Sequence, residues 1–462
     1  MNDTINTATS AVAATPFHGL WHLQQINWLE GLKKAYAGEC APSRVFLIDV
    51  GVHLGHPYLA RALDRTLAID FSAFPFGLAY STAAQKTAFD TGLPARLGLT
   101  RDVAQTVSGL IAAANQASLK TPLQSAYHTA FPSHGTACAG LIGACPPNPA
   151  GGPVTIPYFG VDPFCTIVPV STSLNPTPGQ LILALLYAVQ HEADVIHMPR
   201  GVFGGWDDDT GQYDNPGLSL SKNLDDRALW EAFEAVMYTV SRGTPIICAA
   251  GNSGEAGLAY PASLSLSEGD NGIISVGAIN NAGYRSSFSN YGEGLSLTAP
   301  SDDASVFNRY QIRMNKAGRR YQSHDYAGYV TAGLAEADYG RNALLTTDIP
   351  GRAGYTGYNP MGDDEDDDSF SQAHDPLQGM FTLFGGTSGA SSIVAGVASL
   401  MVRRARLQNK KLDGPEIKAK LIGSCGQASL KTDNMNGENP QPSIQQLFGG
   451  GQVDVDKAVT SV

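Results

Sequence analysis

The chain has 462 residues, and its 30 basic and 42 acidic side chains give a formal net charge of −12. With 43% hydrophobic and 16% charged residues, it cannot be wholly disordered. The acidic balance argues against nucleic acid as the main partner, because phosphate binding needs a basic surface. The sequence contains no run of about 18 apolar residues, so it predicts no membrane-spanning segment and no membrane partner.

The N-terminal segment has no cationic start followed by an apolar stretch, so no secretory signal is predicted. We expect residues 1–15 to be a disordered tail and the protein to be cytoplasmic. The six cysteines show no CxxC spacing, so a zinc cage is not expected. Cys138 and Cys248 lie in apolar runs and are predicted to behave as small buried hydrophobes.

Short apolar runs alternate with helical patterns along the chain. Gly or Pro follows most of the apolar runs, which is typical of buried parallel strands. This alternation predicts an α/β fold with a mainly parallel sheet between helices, in one domain over residues 16–462. The predicted strands are Arg44–Asp49, Thr166–Val170, Asp194–Met198, Pro245–Ala249 and Gly272–Val276. The predicted helices are Thr100–Gln116, Gly179–Glu192 and Leu224–Arg242.

Two long stretches interrupt this alternation and are interpreted as insertions. Residues 62–130 separate the first strand from the next strong motif. Residues 301–380 carry a basic patch at 313–320 and an acidic run at 363–368. A structureless loop of that length is uncommon inside a compact domain unless it is functional or disordered.

Three short motifs carry the residues of a nucleophilic site. Asp49 ends a predicted strand, where α/β sheets place their sites, although an Asp there is often only a cap or turn residue. His134 is followed by Gly, Thr and small residues, which indicates a helix start; a lone His is more often a satisfied polar residue. Ser388 begins an apolar helix, whose N-terminal dipole favours an oxyanion. It could equally be a cap, and Ser391 and Ser392 are rival caps.

A fourth motif, Ala249–Gly254, follows a predicted strand and contains Asn252. An Asn side chain at a strand end can donate a hydrogen bond to a developing oxyanion. The alternative is an ordinary turn residue.

Together these four motifs, in the order Asp, His, Asn, Ser, resemble those of the subtilisin-like serine peptidases. The motifs are Ile48-Asp49-Val50-Gly51, His134–Gly140, Ala249–Gly254 and Gly385–Ser391. Further similarity lies in Gly160–Pro163, Ser287–Gly292 and Thr298–Pro300. The resemblance implies a subtilisin-like three-layer αβα fold.

The resemblance also implies roles for individual residues. Ser388 would be the nucleophile, His134 the general base and then acid, and Asp49 the group that orients the imidazole. Asn252 and the Ser388 backbone N–H would bind the oxyanion. The substrate would lie against Pro199, Arg200, Gly201, Ala250 and Gly251. No metal or organic cofactor would be required.

Several residues depart from the family pattern. Val50 replaces the usual Ser or Thr beside the acid and cannot donate a hydroxyl. Pro199 has no N–H for an added peptide strand. Arg200 stands where an apolar residue is frequent. It could point to solvent, pair with an acid, or favour acidic or small substrate side chains.

Acidic segments raise two further questions. Asp207, Asp208 and Asp209 would favour basic substrate residues if they line the cleft, but a solvated loop is the commoner explanation. The run at 363–368 could bind a structural Ca²⁺, although it lacks the alternating spacing of a calcium loop.

The sequence therefore predicts a serine endopeptidase that acts on protein or peptide substrates through an acyl-enzyme. One alternative is a maturation peptidase dedicated to a single partner protein, which the insertions suggest. The other is a non-catalytic peptide-binding scaffold, which Val50, Pro199 and Arg200 suggest.

Overall fold

The structure is a computed structural model. It describes residues 20–80, 88–117, 119–122, 131–147, 158–202, 206–207, 212–213, 224–266, 269–302, 330–331, 338–339, 343–350, 354–355, 380–432 and 441–462. The predicted tail at 1–15, the basic patch at 313–320, the acidic run at 363–368, and Asp208 and Asp209 lie outside these residues.

Fifteen strands occur in the described residues, and nine of them form one sheet. The strands are β1 (Arg44–Asp49), β2 (Ile69–Asp70), β3 (Gly77–Tyr80), β4 (Leu119–Pro122), β5 (Thr166–Ser171), β6 (Val195–Met198), β7 (Trp206–Asp207), β8 (Gln212–Tyr213), β9 (Ile246–Ala249), β10 (Ile273–Ile279), β11 (Leu297–Pro300), β12 (Val330–Thr331), β13 (Asp338–Tyr339), β14 (Leu344–Thr347) and β15 (Phe381–Phe384). The order in the large sheet is β11-β10-β9-β6-β1-β5-β2-β3-β4, and only the β2–β3 pair is antiparallel.

Helices cover both faces of this sheet. They are α1 (Trp21–Gln25), α2 (Trp28–Ala35), α3 (Leu93–Arg96), α4 (Arg101–Gln116), α5 (Phe131–Gly143), α6 (Pro178–Gln190), α7 (Leu224–Gly243), α8 (Gly386–Leu407), α9 (Gly414–Ser424), α10 (Ile444–Phe448) and α11 (Val455–Thr460). No helix in the described part of the chain has both the length and the apolar character needed to cross a membrane.

Strand β1 shows why the sheet is buried on both faces. Val45 and Leu47 pack into a core with α5 and α8, whereas Phe46 and Ile48 pack into the opposite core with α6 and α7. Successive strand side chains point to opposite faces, so a continuous apolar run is stable only between two layers of helices. The predicted three-layer αβα architecture is confirmed.

The five strands expected from apolar runs all form, with ends that differ by up to three residues from those predicted. The first predicted insertion, residues 62–130, was expected to lie outside this alternation. Its described segments instead supply β2, β3 and β4, which extend the large sheet beyond β5.

The second predicted insertion begins after β11, and its C-terminal part returns beside α5. Strands β14 and β15 pair in antiparallel orientation. The Thr346 hydroxyl donates to the Ala137 carbonyl at 2.6 Å, and the Thr347 hydroxyl donates to the Thr136 carbonyl at 2.7 Å. Strand β14 of this insertion is therefore fixed to the helix that carries His134.

Candidate active site

Three adjacent parallel strands end at the same edge of the sheet, and polar residues follow each of them. Asp49 ends β1, residues 199–201 follow β6, and residues 250–252 follow β9. Strand β6 lies between β1 and β9, so these three segments are neighbours. Ligand sites of open α/β sheets lie at such carboxyl ends.

His134 reaches this edge from α5. Its Nδ1 atom lies 2.8 Å from Oδ2 and 3.0 Å from Oδ1 of Asp49. The next residue, Gly135, explains the close approach, because an added Cβ atom would overlap the carbonyl oxygen of Gly51. The predicted pairing of the acid with the imidazole therefore exists in the structure.

The pair has opposed pKa shifts. Burial by itself works against both charges. Even so, the imidazole of His134, together with Arg200 and the Val50 N–H, holds the pKa of Asp49 below its usual value. The Asp49 carboxylate, with the Cys138 sulfur, raises the pKa of His134 well above its usual value. Asp49 is 1% exposed, whereas a quarter of the His134 side chain meets solvent.

Ser388 lies in the first turn of α8. The preceding Gly385 provides no side-chain cap, and Gly386 has a φ of +71°, a conformation that favours glycine. The backbone N–H of Gly386 donates to the carboxylate of Asp302 at 2.8 Å. Among the described residues, the Ser388 hydroxyl donates to the carbonyl oxygen of Pro199 at 2.7 Å, and no bond to His134 is present.

The serine that does contact a histidine, Ser391, lies one turn further along α8. Ser391 is 3.1 Å from Nε2 of His197, and its hydroxyl donates to the Ser388 carbonyl oxygen. Both residues are 0% exposed, whereas Ser388 is 7% exposed. Burial thus removes Ser391 from contact with a substrate.

Asn252 is held against the residue that precedes Ser388. Its amide oxygen accepts from the N–H and from the hydroxyl of Thr387, both at 2.8 Å. Because the amide oxygen is fixed in this way, the NH₂ end faces away from Thr387. An NH₂ group of this kind can donate to an oxyanion formed at Ser388.

The predicted substrate-binding segments face each other across Ala259. An added Cβ at Gly201 would lie 3.6 Å from the Ala259 methyl carbon, and one at Gly251 would lie 2.9 Å from it. The Ala250 N–H is used in the sheet, donating to Val276, and the Gly251 N–H donates to Thr387. Pro199 contributes the carbonyl that holds Ser388.

Two of the three positions that the sequence suggested for Arg200 are wrong. It is 8% exposed, and its guanidinium donates to Thr172 and to the carbonyl of Leu174. It therefore neither points to solvent nor forms an ion pair with an acid of the described residues. Burial lowers its pKa, although the charge of Asp49 opposes this shift.

Sequence reasoning missed two neighbours of His134. The Phe384 ring meets the imidazole edge-on, with centroids 5.5 Å apart. The Cys138 sulfur lies 4.0 Å from Nδ1, one helical turn after His134. The i, i+4 spacing of His134 and Cys138 could have revealed the second contact, but nothing local to Phe384 signals the first.

An Asp–His pair beside a serine at a helix N-terminus, on the carboxyl edge of a parallel sheet, defines an α/β serine hydrolase. The family model of the subtilases matches residues 44–451. The chain belongs to the subtilase family, peptidase group S8.

Two curated relatives show the extent of the similarity. The calcium-dependent protease of Nostoc sp. is 25% identical over 328 residues, covering 71% of this chain and 39% of that protein. The major intracellular serine protease of Bacillus subtilis is 31% identical over 183 residues, covering 37% of this chain and 46% of that protein. The chain thus spans less than half the length of these two relatives.

Solved structures share the fold at low identity. An epidermin leader peptide processing serine protease from Staphylococcus aureus has a TM-score of 0.54 at 16% identity, with 97% of this chain and 82% of that chain covered. A lanthipeptide protease has a TM-score of 0.53 at 17% identity, with 95% and 96% covered.

Proposed function

We propose that this subtilase is a serine endopeptidase in which Ser388 is the nucleophile, His134 the general base and acid, and Asp49 the orienting carboxylate. The observation that carries the proposal is the 2.8 Å contact between His134 and Asp49, at the sheet edge where Ser388 begins its helix. With Nδ1 facing the carboxylate, Nε2 is the nitrogen left to accept a proton.

The proposed reaction is acyl transfer in two stages. The Ser388 hydroxyl turns from the Pro199 carbonyl to Nε2 of His134, gives up its proton and attacks the peptide carbonyl carbon. The imidazolium returns that proton to the leaving amine. A water molecule, deprotonated by His134, then releases the acid and restores Ser388.

The oxyanion would be held by the NH₂ group of Asn252 and the backbone N–H of Ser388. Both are preorganised: Asn252 by its two bonds to Thr387, and Ser388 by its place in the first turn of α8. Triad chemistry of this kind needs no organic cofactor.

The substrate would lie as an extended peptide between residues 199–201 and residues 250–251. The N–H groups of Ala250 and Gly251 are used within the protein, so a peptide would bond to the main chain of residues 199–201 and only pack against residues 250–251. Pro199 would contribute an acceptor but no donor.

The test is labelling with a fluorophosphonate probe from pH about 8 upward, because the neutral imidazole activates serine and the pKa of His134 is raised well above its usual value. Wild-type protein should label, and Ser388→Ala and His134→Ala should not. Arg227→Gln, which changes an exposed surface pair with Glu231, is the matched control and should label normally. Folded wild-type protein that fails to label would contradict the proposal.

A dedicated maturation peptidase is the finer version of this function. Two solved relatives of the fold are a leader-peptide processing protease and a lanthipeptide protease by name. Their identity to this chain is too low to transfer a substrate, so a cleavage profile must decide. Cleavage confined to one partner protein, with casein left intact, would support the dedicated role. The scaffold alternative requires a wild-type protein that binds peptide without any turnover.

A structural Ca²⁺ and a cytoplasmic location are separate proposals. One relative is a calcium-dependent protease by name. Within the described residues, however, the one cluster of three metal-type ligands is Asp49, His134 and Cys138, whose nitrogen and sulfur atoms do not suit calcium. A fall in the melting temperature on adding EGTA would support a calcium site.

The proposed cytoplasmic location fits the cysteines. All six are free thiols, as a reducing cytoplasm would leave them, and cell fractionation would test the location.

A further inference from the structure

The side chain of Arg200 connects the ends of two strands at the carboxyl edge of the sheet. Arg200 follows β6, yet its Nη1 donates to the Thr172 hydroxyl at 2.9 Å and its Nη2 donates to the Leu174 carbonyl. Thr172 and Leu174 follow β5, on the far side of β1 from β6. The guanidinium therefore bridges two strand ends that are not neighbours in the sheet.

Both ends of this bridge are bonded to residues of the proposed triad. On the β5 side, the Thr172 N–H donates to the backbone carbonyl of Asp49 at 2.8 Å. On the β6 side, the carbonyl of Pro199, directly before Arg200, accepts from the Ser388 hydroxyl at 2.7 Å. Displacement of Arg200 would therefore move the supports of the acid and of the nucleophile relative to each other.

The charge of Arg200 also acts on the acid–imidazole pair. The titratable and charged groups that surround this pair are Cys138 on α5, His197 on β6, and Arg200. Burial lowers the pKa of His197 to about 3 and raises that of the Cys138 thiol, so both are neutral at pH 7. Among the described residues around this pair, Arg200 is thus the permanent cation, and it attracts the Asp49 carboxylate. By the same Coulomb law, its charge should oppose protonation of His134.

We propose that Arg200 is a positioning residue of the peptidase site. Its two hydrogen bonds hold the ends of β5 and β6 in place, and its positive charge stabilises the ionised Asp49. This inference rests on the roles proposed above for Asp49, His134 and Ser388. An apolar side chain, frequent at this position in the family, could fill the same space but could form neither the bridge nor the charge interaction.

Two substitutions separate the two effects. Arg200→Lys keeps the charge and loses the planar fork, whereas Arg200→Gln keeps an N–H donor and loses the charge. The measurement is the second-order rate of fluorophosphonate labelling across pH about 5 to about 10, a range that extends well above the usual His pKa because that of His134 is raised. The His134 imidazole is titrated in parallel by NMR on histidine-labelled protein, which needs no activity. Arg227→Gln is again the surface control.

We expect Arg200→Gln to lower the labelling rate about tenfold or more, since misplaced reacting groups slow the reaction. The acid limb of its pH–rate profile, where the rate falls as His134 is protonated, should move up by about one pH unit. The NMR titration of His134 should shift by the same amount, because a cation near the imidazole is lost. Arg200→Lys should lose rate to a similar degree yet keep the wild-type limb. If Arg200→Gln does not fold, Arg200→Leu takes its place.

The proposal is overturned if Arg200→Gln labels at the wild-type rate. It is also overturned if the acid limb of the pH–rate profile and the His134 titration curve are the same in wild type and in both variants. The second result would leave Arg200 a purely structural residue. Wild-type protein that does not label contradicts the proposed function instead, and the NMR titration still decides whether the charge of Arg200 acts on His134.

Discussion

Oδ2 of Asp49 lies 2.8 Å from Nδ1 of His134, and the carboxylate accepts a second bond, 2.7 Å long, from the Val50 N–H. The usual hydroxyl neighbour of the acid is replaced here by Val50. The backbone of Val50 still supports the carboxylate, so the side-chain change does not remove this contact. The orientation of the imidazole therefore depends chiefly on Asp49.

Replacing Asp49 by Asn should reduce the labelling rate at pH about 8 by about 10⁴-fold, because an amide favours the wrong imidazole tautomer. The pKa of His134 is raised well above its usual value by this carboxylate. The acid limb of the pH–rate profile should therefore move to lower pH in Asp49→Asn. An unchanged limb with full activity would show that Asp49 does not act on His134.

Ser388 and Ser391 form a matched pair for assigning the nucleophile. Ser388→Ala should abolish labelling and peptide hydrolysis while the protein stays folded. Ser391→Ala should still label, because Ser391 is 0% exposed and bonds to His197. The Ser391→Ala substitution should lower the free energy of unfolding by about 1 kcal/mol, measured by urea denaturation. Labelling that survives in Ser388→Ala and is lost in Ser391→Ala would reverse the assignment.

Thr387 should matter to turnover although it does not touch the substrate. Its hydroxyl donates to Asn252 and accepts from the Gly251 N–H at 3.1 Å. Asn252→Ala should lower kcat by about 10²–10³-fold with little change in KM. Thr387→Val should lower kcat by about tenfold, since Asn252 loses one of its two anchors.

The double variant of Thr387 and Asn252 separates orientation from an independent role. If Thr387 acts only by orienting Asn252, adding Thr387→Val to Asn252→Ala should change kcat no further. Additive losses would show that Thr387 contributes on its own.

Buried histidines should make the protein sensitive to acid. Burial lowers the pKa of His22 to about 3, that of His56 to about 4 and that of His197 to about 3, from an ordinary value of 6.5. The unfolded chain therefore binds these protons more readily than the folded one. Stability is intact above about pH 6.5 and falls as the pH decreases toward the folded pKa values.

His22 isolates this effect from the active site. It is 0% exposed, and neither ring nitrogen has a hydrogen-bond partner among the described residues. Because of His22, the free energy of unfolding of the wild-type protein should fall by about 2 kcal/mol between pH 7 and pH 5. His22→Phe should remove that loss when urea unfolding is compared at the two pH values. An equal pH dependence in wild type and variant would contradict the prediction.

Gly135 tests the close approach of α5 to the loop after β1. A methyl group there would overlap the Gly51 carbonyl and lie 3.3 Å from the Asp49 Cβ atom. Gly135→Ala should therefore destabilise the fold by about 1–3 kcal/mol and lower the labelling rate, because His134 must shift. Gly109→Ala, in an open position on α4, is the control and should do neither.

Much of the site was predictable because its motifs are local. Asp49 ends an apolar run, His134 precedes small residues at a helix start, and Ser388 precedes an apolar helix. Each pattern reports a strand end or a helix N-terminus, and the parallel sheet brings strand ends to one edge. The role of Arg200 was not predictable, since its partners Thr172 and Leu174 follow a different strand.

The sequence by itself determined the order of strands and helices, the family resemblance and the candidate residues, because hydrophobic periodicity and short motifs are properties of neighbouring residues. Only the tertiary structure decided which serine meets solvent, where the guanidinium of Arg200 goes, and that Phe384 lies against His134. It also decided that segments of the first predicted insertion join the large sheet. These features depend on contacts between distant segments, which form only when the sheet and its two helical layers pack together.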